Sequence, residues 1–167
     1  MDSRIINKNK NYINNIIGWF ESKNNIKTEL LYRRTDDGDS CDKFHDLCDN
    51  KGKTLLLIKG LDGFIIGAYT PLDWDNCSGW KKDNNSFIFS LTNNKIFNKN
   101  KNNIESIKCS KDYGPNFHCL AFKRESSMSI LYLSKGCSNY KNLDELLPNG
   151  AGNHKLEEVE VYKISFN

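Results

Sequence analysis

The hydrophobic pattern of residues 30–91 predicts one amphipathic helix. Apolar side chains recur at helical spacing after Asp39, and charged side chains fill the opposite arc. Asp39 or Ser40 can cap the start of this helix, and Gly52 can supply the left-handed residue that ends it. The apolar stripe consists of Cys41, Phe44, His45, Leu47 and Cys48. We therefore expect the helix to pack on another element through this stripe.

Two runs of β-branched, aromatic and apolar residues follow the helix and predict a β-hairpin. The runs are Thr54–Lys59 and Phe64–Tyr69, and the short turn between them places Gly63 where a positive φ is needed. Neither run alternates cleanly between polar and apolar positions, so we expect both faces of the hairpin to be buried. Gly67, in the middle of the second run, predicts a bulge or a close approach by another element.

Weaker patterns predict the other elements of an α+β domain built mainly from antiparallel hairpins. Tyr12, Ile13 and Ile16 recur at helical spacing and indicate a helix near the N-terminus, after a flexible tail over residues 1–10. The Glu157/Glu158 step in the last strand suggests a bulge. In all we expect about seven or eight strands and two or three helices. The predicted segments are the helix Asn11–Phe20 and the strands Leu30–Arg33, Ser86–Leu91, Ile104–Cys109, Ser129–Leu133 and Leu156–Ile164.

A series of short motifs in this part of the chain shares its order and spacing with a known family. The motifs are Leu31-Tyr32-Arg33, Asp37-Gly38, Phe44-His45-x-x-Cys48-Asp49-x-Lys51-Gly52-x-Thr54-Leu55, Asp62-Gly63-x-x-x-Gly67-x-Tyr69, Trp74 and Phe87-x-Phe89-Ser90-Leu91. In these motifs the chain resembles the TLDc domain, the domain of the oxidation resistance proteins and their relatives. The resemblance implies a single domain over residues 11–167, folded as two antiparallel β-sheets packed as a sandwich with flanking helices.

Some motif residues are expected to serve the fold, and one later position departs from the family pattern. Where the family has Gly-Pro-x-Phe-Gly, this chain has His118 in place of the last glycine. A family surface built on that glycine is therefore in question here. The residues that we expect to be structural are Gly38, Phe44, His45, Cys48, Gly52, Gly63, Gly67, Phe87 and Phe89.

The charge of the chain gives little support to nucleic-acid binding. The net charge of the 167 residues is +3, which is too small to argue for such a partner. The positive excess lies in two Asn/Lys-rich stretches, residues 1–28 and 93–111, whose composition is typical of surface segments. A nucleic-acid interface would require lysines such as Lys99 and Lys101 to converge in space.

The sequence lacks the signals of secretion and of membrane insertion. No segment approaches the roughly 20 apolar residues of a membrane span, and the first twenty residues hold no signal-peptide core. We therefore expect a cytoplasmic, or alternatively nuclear, monomer without membrane insertion. In such a reducing compartment the six cysteines are expected to be thiols.

Several residue groups offer chemistry, but each has a structural alternative. Cys41, His45 and Cys48 have the spacing of three zinc ligands on one helical stripe, although the same stripe suits a buried core. Asp42 beside Cys41 and the helix C-terminus beside Cys48 both disfavour a reactive thiolate. Nucleophile-elbow, phosphate-cradling and dinucleotide motifs are missing from the sequence. We expect no cofactor and no metal.

The leading hypothesis is a non-catalytic interaction module. The resemblance implies a link to oxidative-stress protection and binding to the vacuolar proton-pumping ATPase. A thiol-dependent peroxide-detoxifying enzyme and a stress-responsive nucleic-acid-binding protein are the alternatives. Asp36, Asp37 and Asp39 also suit turns or a calcium site, and Trp74 also suits a buried position. The candidate contacts for a protein partner are Asp36, Asp37, Asp39, Trp74, Trp80 and Glu160.

Overall fold

The computed structural model describes residues 1–20, 25–102, 104–122, 127–147 and 149–166. Within these ranges the chain forms ten β-strands, three α-helices and one 3-10 helix. The helices are α1 (Lys10–Trp19), α2 (Arg34–Asp37), α3 (Cys41–Cys48) and the 3-10 helix Leu143–Glu145. The strands are β1 (Ile26–Arg33), β2 (Thr54–Gly60), β3 (Ile65–Thr70), β4 (Gly79–Lys82), β5 (Phe87–Ser90), β6 (Lys95–Asn98), β7 (Glu105–Cys109), β8 (Leu120–Ala121), β9 (Ile130–Leu133) and β10 (Gly152–Phe166).

Strand β10 organises a large antiparallel sheet. The strands of this sheet follow the order β6-β5-β3-β2-β10-β9-β8, and β1 also pairs with β10. The register of β10 against β2 shifts between Leu156 and Glu158, as the predicted bulge requires. Strands β4 and β7 form a separate two-stranded ribbon. The described strands are thus mostly antiparallel, as predicted, but their pairing does not confirm a sandwich of two sheets.

Both faces of the β2–β3 hairpin are buried, as its continuous apolar sequence predicted. Leu55 and Leu57 on one face pack with Ile16 of α1. On the other face Leu56 belongs to the same buried cluster as Phe44 of α3. The sheet is therefore covered by helix on both sides, and the amphipathic helix packs where its apolar stripe indicated.

Gly67 allows a close approach between neighbouring strands. A Cβ atom at this position would lie 2.3 Å from Cζ of Phe89 and 2.4 Å from the carbonyl oxygen of Leu56. The β2–β3 pairing runs through Gly67 without a register shift. Of the two explanations offered by the sequence, the structure therefore shows the close approach and not a bulge.

Helix α3 begins at the predicted cap but ends earlier than predicted. The Ser40 hydroxyl accepts the backbone N–H of Lys43 at its start. The helix stops at Cys48, because Asp49 adopts an extended conformation and bridges to Trp74. Gly52 has a φ of +82° but lies in the following loop. The prediction that Gly52 ends the helix was therefore wrong: pairing with the Trp74 segment ends it first.

The N-terminal residues are not the loose tail that the sequence predicted. Ser3, Ile5 and Ile6 are buried, and both isoleucines pack in the cluster that covers the sheet. The side chain of Asn9 then accepts two backbone N–H groups and caps α1. The prediction failed because residues 1–10 are locally polar, whereas their binding partners lie at the far end of the chain.

Three short strands, β4, β6 and β8, were missing from the prediction. Strand β6 lies within the Asn/Lys-rich stretch whose composition is typical of a surface segment, and its Phe97 is buried. Its polar flanks hid a pattern only four residues long. No helix in the described part of the chain is long and apolar enough to cross a membrane.

Candidate interaction surface and cysteine site

Glu160 is the centre of a buried polar cluster. Its side chain is fully buried, and its carboxylate accepts hydrogen bonds from Arg33 Nε at 2.9 Å and Tyr162 OH at 3.0 Å. The Ser3 hydroxyl and the Arg4 backbone N–H also donate to it, at 2.5 and 2.9 Å. We call Glu160, Arg33, Ser3 and Tyr162 the Glu160 cluster. It fixes the N-terminal segment to β10.

The electrostatics of the Glu160 cluster favour the charged form of Arg33. Burial by itself lowers the pKa of Arg33, but the hydrogen bond and the charge of Glu160 outweigh burial and raise it. Both carboxylate oxygens of Glu160 accept hydrogen bonds from donors of this chain, so the carboxylate is not available to a protein partner. The prediction of a partner contact at Glu160 is therefore revised.

The three aspartates of the α2 region are occupied by neighbouring groups. Asp37 accepts the backbone N–H of Arg33 at 2.7 Å, which is the backbone-bonding role that the turn suggested. Asp36 accepts from Arg4 Nη1 at 2.7 Å, and this hydrogen bond lowers the pKa of Asp36. Asp39 lies 3.7 Å from Arg34. Each carboxylate faces a cation or an N–H donor, so the arrangement fits the turn and capping roles better than a calcium site.

The two tryptophans proposed as partner contacts have different environments. Trp74 is only 2% exposed, and its Nε1–H donates to Thr54 Oγ1 at 2.9 Å. Its ring packs edge-on against Phe44 and Phe117, each with a centroid separation of 5.5 Å. Trp74 is therefore a core residue, and its assignment as a partner contact is revised.

Trp80 is 36% exposed and lies on the outer side of the β4–β7 ribbon. It stands opposite Lys108 in register, and its ring stacks on His118 with a centroid separation of 4.6 Å. The Lys108 ammonium lies 5.9 Å from the Trp80 ring and 4.8 Å from the Tyr113 ring. We call Trp80, Lys108, Tyr113 and His118 the Trp80 face. It combines exposed aromatic surface with one cation.

His45 connects α3 to the loop after β7. Its Nε2 contacts the carbonyl oxygens of Ser110 at 3.1 Å and Tyr113 at 2.8 Å, so this nitrogen donates. Its Nδ1 lies 2.8 Å from the Asp49 carboxylate. Both ring nitrogens are thus engaged, and the geometry favours the structural reading of the Cys41-His45-Cys48 stripe over zinc ligation.

Lys99 is unavailable to phosphate groups. It is buried, and its ammonium donates to Ser106 Oγ at 2.6 Å and to the carbonyl oxygen of Glu105. Burial lowers the pKa of Lys99. The nucleic-acid hypothesis required Lys99 and Lys101 to converge on the surface, and the inward position of Lys99 contradicts that requirement.

The cysteines differ from the prediction of six thiols. Cys119 and Cys137 form a disulfide with a Cα–Cα distance of 5.8 Å, whereas Cys41, Cys48, Cys77 and Cys109 are free. The sequence analysis did not predict strand β8, which follows Cys119, so it gave no reason to expect Cys119 close to Cys137. This disulfide corrects the prediction, made from the expected reducing compartment, that all six cysteines are thiols.

The pKa of each of the four free thiols is shifted upward, which disfavours the thiolate form. Burial raises the pKa of Cys41 and of Cys48, and raises the pKa of Cys109 to about 11. A hydrogen bond with Asp75 raises the pKa of Cys77. A catalytic thiol needs the opposite shift, so none of these four supports the peroxide-enzyme hypothesis.

A comparison with models of known protein families agrees with the motifs found in the sequence. The family model of the TLDc domain matches residues 2–165. The chain belongs to the TLDc domain family. The match confirms the resemblance and extends it over nearly the whole chain. No curated protein sequence matches the chain significantly.

His118 of this TLDc domain occupies a strained backbone position. Its φ is +67°, in the left-handed region that favours glycine, which agrees with the glycine that the family pattern has there. The ring contacts Cys119 Sγ at 3.7 Å through Nδ1, and Nε2 faces Glu105 at 3.8 Å. Burial lowers the pKa of His118. The departure from the family pattern thus brings an imidazole to the disulfide.

The metal-capable group of this TLDc domain is not the one that the sequence suggested. Ligand atoms of His118, Cys119 and Cys137 lie within 4.8 Å of one another, the one such group found in the described ranges. The disulfide removes the two thiolates that a metal ion would require. In the sequence, only the adjacent pair His118-Cys119 pointed to this group, because Cys137 lies 18 residues after Cys119.

Proposed function

We propose that this TLDc domain is a non-catalytic interaction module that binds a peripheral subunit of the vacuolar proton-pumping ATPase. Membership of the family supports an interaction module, and the resemblance that led to the family supports this partner. The proposal includes a role in oxidative-stress protection through the pump. It also includes a cytoplasmic location, with the nucleus as the alternative, and a monomeric state.

The exposed indole of Trp80 carries the proposal. Tryptophan is enriched among the residues that dominate binding energy at protein interfaces. Of the candidate contacts, Trp74 and Glu160 are buried and the α2 aspartates are paired within the chain. Trp80 is the large apolar side chain among them that reaches solvent.

The ribbon beneath Trp80 is held firmly, which favours binding. Ile107 and Cys109 of β7 are buried in the main core. Lys81 of β4 reaches the Asp75 carboxylate at 2.5 Å and the carbonyl oxygen of Asp73 at 2.6 Å. An aromatic ring on such a support loses little conformational entropy on binding, so more of its contact energy appears as affinity.

One surface cleft of the described residues has no lining group that titrates near neutral pH. This cleft has a volume of about 240 Å³ and lies between α1 and β5. Its lining consists of aromatic, amide and hydroxyl side chains without a carboxylate, imidazole, thiol or ammonium group: Trp19, Phe20, Tyr69, Asn84, Asn85, Ser86, Phe87, Asn98 and Phe166. General acid–base chemistry at neutral pH needs a group that titrates near that pH.

A binding assay with two matched variants tests the proposal. The purified chain is immobilised and exposed to peripheral subunits of the ATPase at micromolar concentration. We expect retention by the unmodified chain and about 30-fold weaker binding by Trp80→Ala, which corresponds to a hot-spot loss of about 2 kcal/mol. Leu61→Ala, which removes an apolar side chain that is 65% exposed in the β2–β3 turn, should bind normally.

The outcomes separate the partner from the surface. Failure of the unmodified chain to retain any peripheral subunit contradicts the proposed partner. Retention that is equal for the unmodified chain and Trp80→Ala contradicts the proposed surface while leaving the partner in place. Loss of binding in both Trp80→Ala and Leu61→Ala means that the contact extends beyond the Trp80 face.

A further inference from the structure

We propose that Cys119, Cys137 and His118 form a thiol–disulfide exchange site whose co-reactant is a dithiol. The first observation is that one specific pair of cysteines forms a disulfide. Of the six cysteines, these two are bonded to each other, and the other four remain free. The pair is also the one with an imidazole in contact, since Nδ1 of His118 lies 3.7 Å from Cys119 Sγ.

The two sulfur atoms differ in access, which fixes the direction of attack. Cys119 is only 1% exposed, whereas Cys137 is half-buried. An external thiolate therefore reaches the sulfur of Cys137, and Cys119 is the leaving group beside the imidazole. Access and the stability of the leaving thiolate are the two factors that decide which sulfur is attacked.

The protein holds the two cysteines close together independently of the S–S bond. The carbonyl oxygen of Cys119 accepts the backbone N–H of Ser134 at 2.9 Å, and Leu120 pairs with Leu133 in the adjoining strands. On the other side of Cys137, the Asn139 carbonyl accepts the Asn100 backbone N–H at 2.8 Å. After reduction the two thiols thus stay near each other, which favours closure of the bond again.

The surroundings of His118 suit a general base that acts on Cys119. The Glu105 carboxylate, 3.8 Å from Nε2, favours a proton on that nitrogen and leaves the Nδ1 lone pair directed at the sulfur. The Lys99 ammonium opposes a positive charge on the ring, and Trp80 stacks on its face. The side chain is 32% exposed, so it exchanges its proton with water.

The proposed exchange balances as follows. A thiolate of the dithiol attacks Cys137 Sγ, a new S–S bond forms between them, and the Cys119–Cys137 bond breaks with its electron pair on Cys119. His118 takes up a proton from water at Nδ1 and passes that proton to the Cys119 thiolate. The second thiol of the co-reactant loses its proton to water and attacks the co-reactant's own sulfur in the mixed disulfide. The bond to Cys137 breaks, and the Cys137 thiolate leaves and takes up a proton from water. The protein gains two electrons and two protons, and the dithiol becomes a cyclic disulfide.

Titration of the full chain in mixtures of reduced and oxidised dithiothreitol tests the site. Accessible and buried thiols are alkylated together after denaturing quench, and the modified cysteines are counted by mass spectrometry. We expect a reversible transition from four alkylated cysteines to six. Cys77→Ser, which removes an exposed free thiol, should shift both counts down by one and leave the midpoint unchanged. Cys137→Ser should show no transition.

The role of His118 is tested by the rate at which oxidised dithiothreitol closes the reduced pair. Asparagine tolerates the left-handed backbone but provides no base, so His118→Asn should close on the order of 100-fold more slowly at neutral pH. The rate for the unmodified chain should level off near the ordinary histidine range or below it, whereas that for the variant should rise until the thiol range near about 8.5.

Three results would overturn the inference. Six alkylated cysteines at every ratio of reduced to oxidised reagent would mean that the pair does not close, and four at every ratio would mean that it does not open. Equal closure rates and equal pH profiles for the unmodified chain and His118→Asn would remove His118 from the site. Neither readout depends on a protein partner, so each is independent of the proposed function.

Discussion

The Glu160 cluster and the Trp80 face are each centred on a side chain of a β-strand, Glu160 in β10 and Trp80 in β4, yet the first is closed and the second is open to solvent. In the Glu160 cluster, donors from opposite ends of the chain form hydrogen bonds with both carboxylate oxygens. On the Trp80 face, one side of the indole ring contacts His118 while part of it remains exposed. The first arrangement stabilises the fold, whereas the second leaves contact area for another molecule.

The strands beneath the two regions account for this difference. Strand β10 has β2 on one side and β1 on the other, and the N-terminal segment covers it. A charged residue there must find its partners within the protein, because water cannot reach it. Among the described strands, β4 pairs with β7 alone, so its outer side chains meet solvent. Position in the sheet, and not residue type, separates a structural cluster from a candidate interface.

The largest expected effect is at the buried carboxylate. Glu160→Gln keeps the shape but removes the buried counter-charge of the Arg33 guanidinium, which keeps only its 3.4 Å pair with the partly exposed Asp36. We expect the free energy of unfolding to fall by about 3–5 kcal/mol, measured by urea denaturation at neutral pH. The control is Glu157→Gln, which removes a solvent-exposed pair with Lys59 and should cost about 1 kcal/mol or less. Equal losses in the two variants would contradict the contrast between buried and exposed charge.

The next effect concerns the N-terminal segment. Ser3→Ala removes a donor to Glu160 and the acceptor of the Ile6 backbone N–H. We expect a loss of about 1–3 kcal/mol in unfolding free energy, because two buried groups lose a partner. Ser138→Ala, at an exposed position, should stay within about 0.5 kcal/mol of the unmodified chain. A silent Ser3→Ala would mean that residues 1–10 are the loose tail first predicted.

A smaller effect tests the backbone strain at His118. His118→Gly and His118→Ala both remove the ring, so their difference isolates the backbone. At a φ of +67° the glycine variant should be more stable than the alanine variant by about 1 kcal/mol. The same pair of substitutions at His154, within β10, should show the opposite order, because glycine weakens a strand. Thermal unfolding measures both differences, and the same sign at both positions would contradict the strain.

The smallest expected change in stability is at Trp80. Trp80→Ala should lower the free energy of unfolding by about 1 kcal/mol or less, because the ring covers only a surface ribbon. Urea denaturation beside Leu61→Ala provides the comparison. A loss of several kcal/mol would mean that the ring contributes to the core. Weaker partner binding by Trp80→Ala would then result from unfolding and not from a lost contact.

The sequence by itself determined the elements whose burial repeats over short distances. The stripe of α3 and the continuous apolar runs of β2 and β3 are local patterns, because a helix and a strand present the same face at fixed intervals. The family motifs share this property: their order and spacing are read directly from the chain. The strands with only four residues, such as β6, lack enough repeats for a pattern to emerge.

Only the tertiary structure decided which polar and aromatic residues are free to act. Trp74 and Trp80 are six positions apart and chemically identical, but one lies inside the core and the other on an outer ribbon. Glu160 meets Ser3 across 157 positions, and Cys119 meets Cys137 through a hairpin that the sequence did not reveal. Burial and partnership at these sites depend on which distant strands become neighbours, and local periodicity carries no information about that choice.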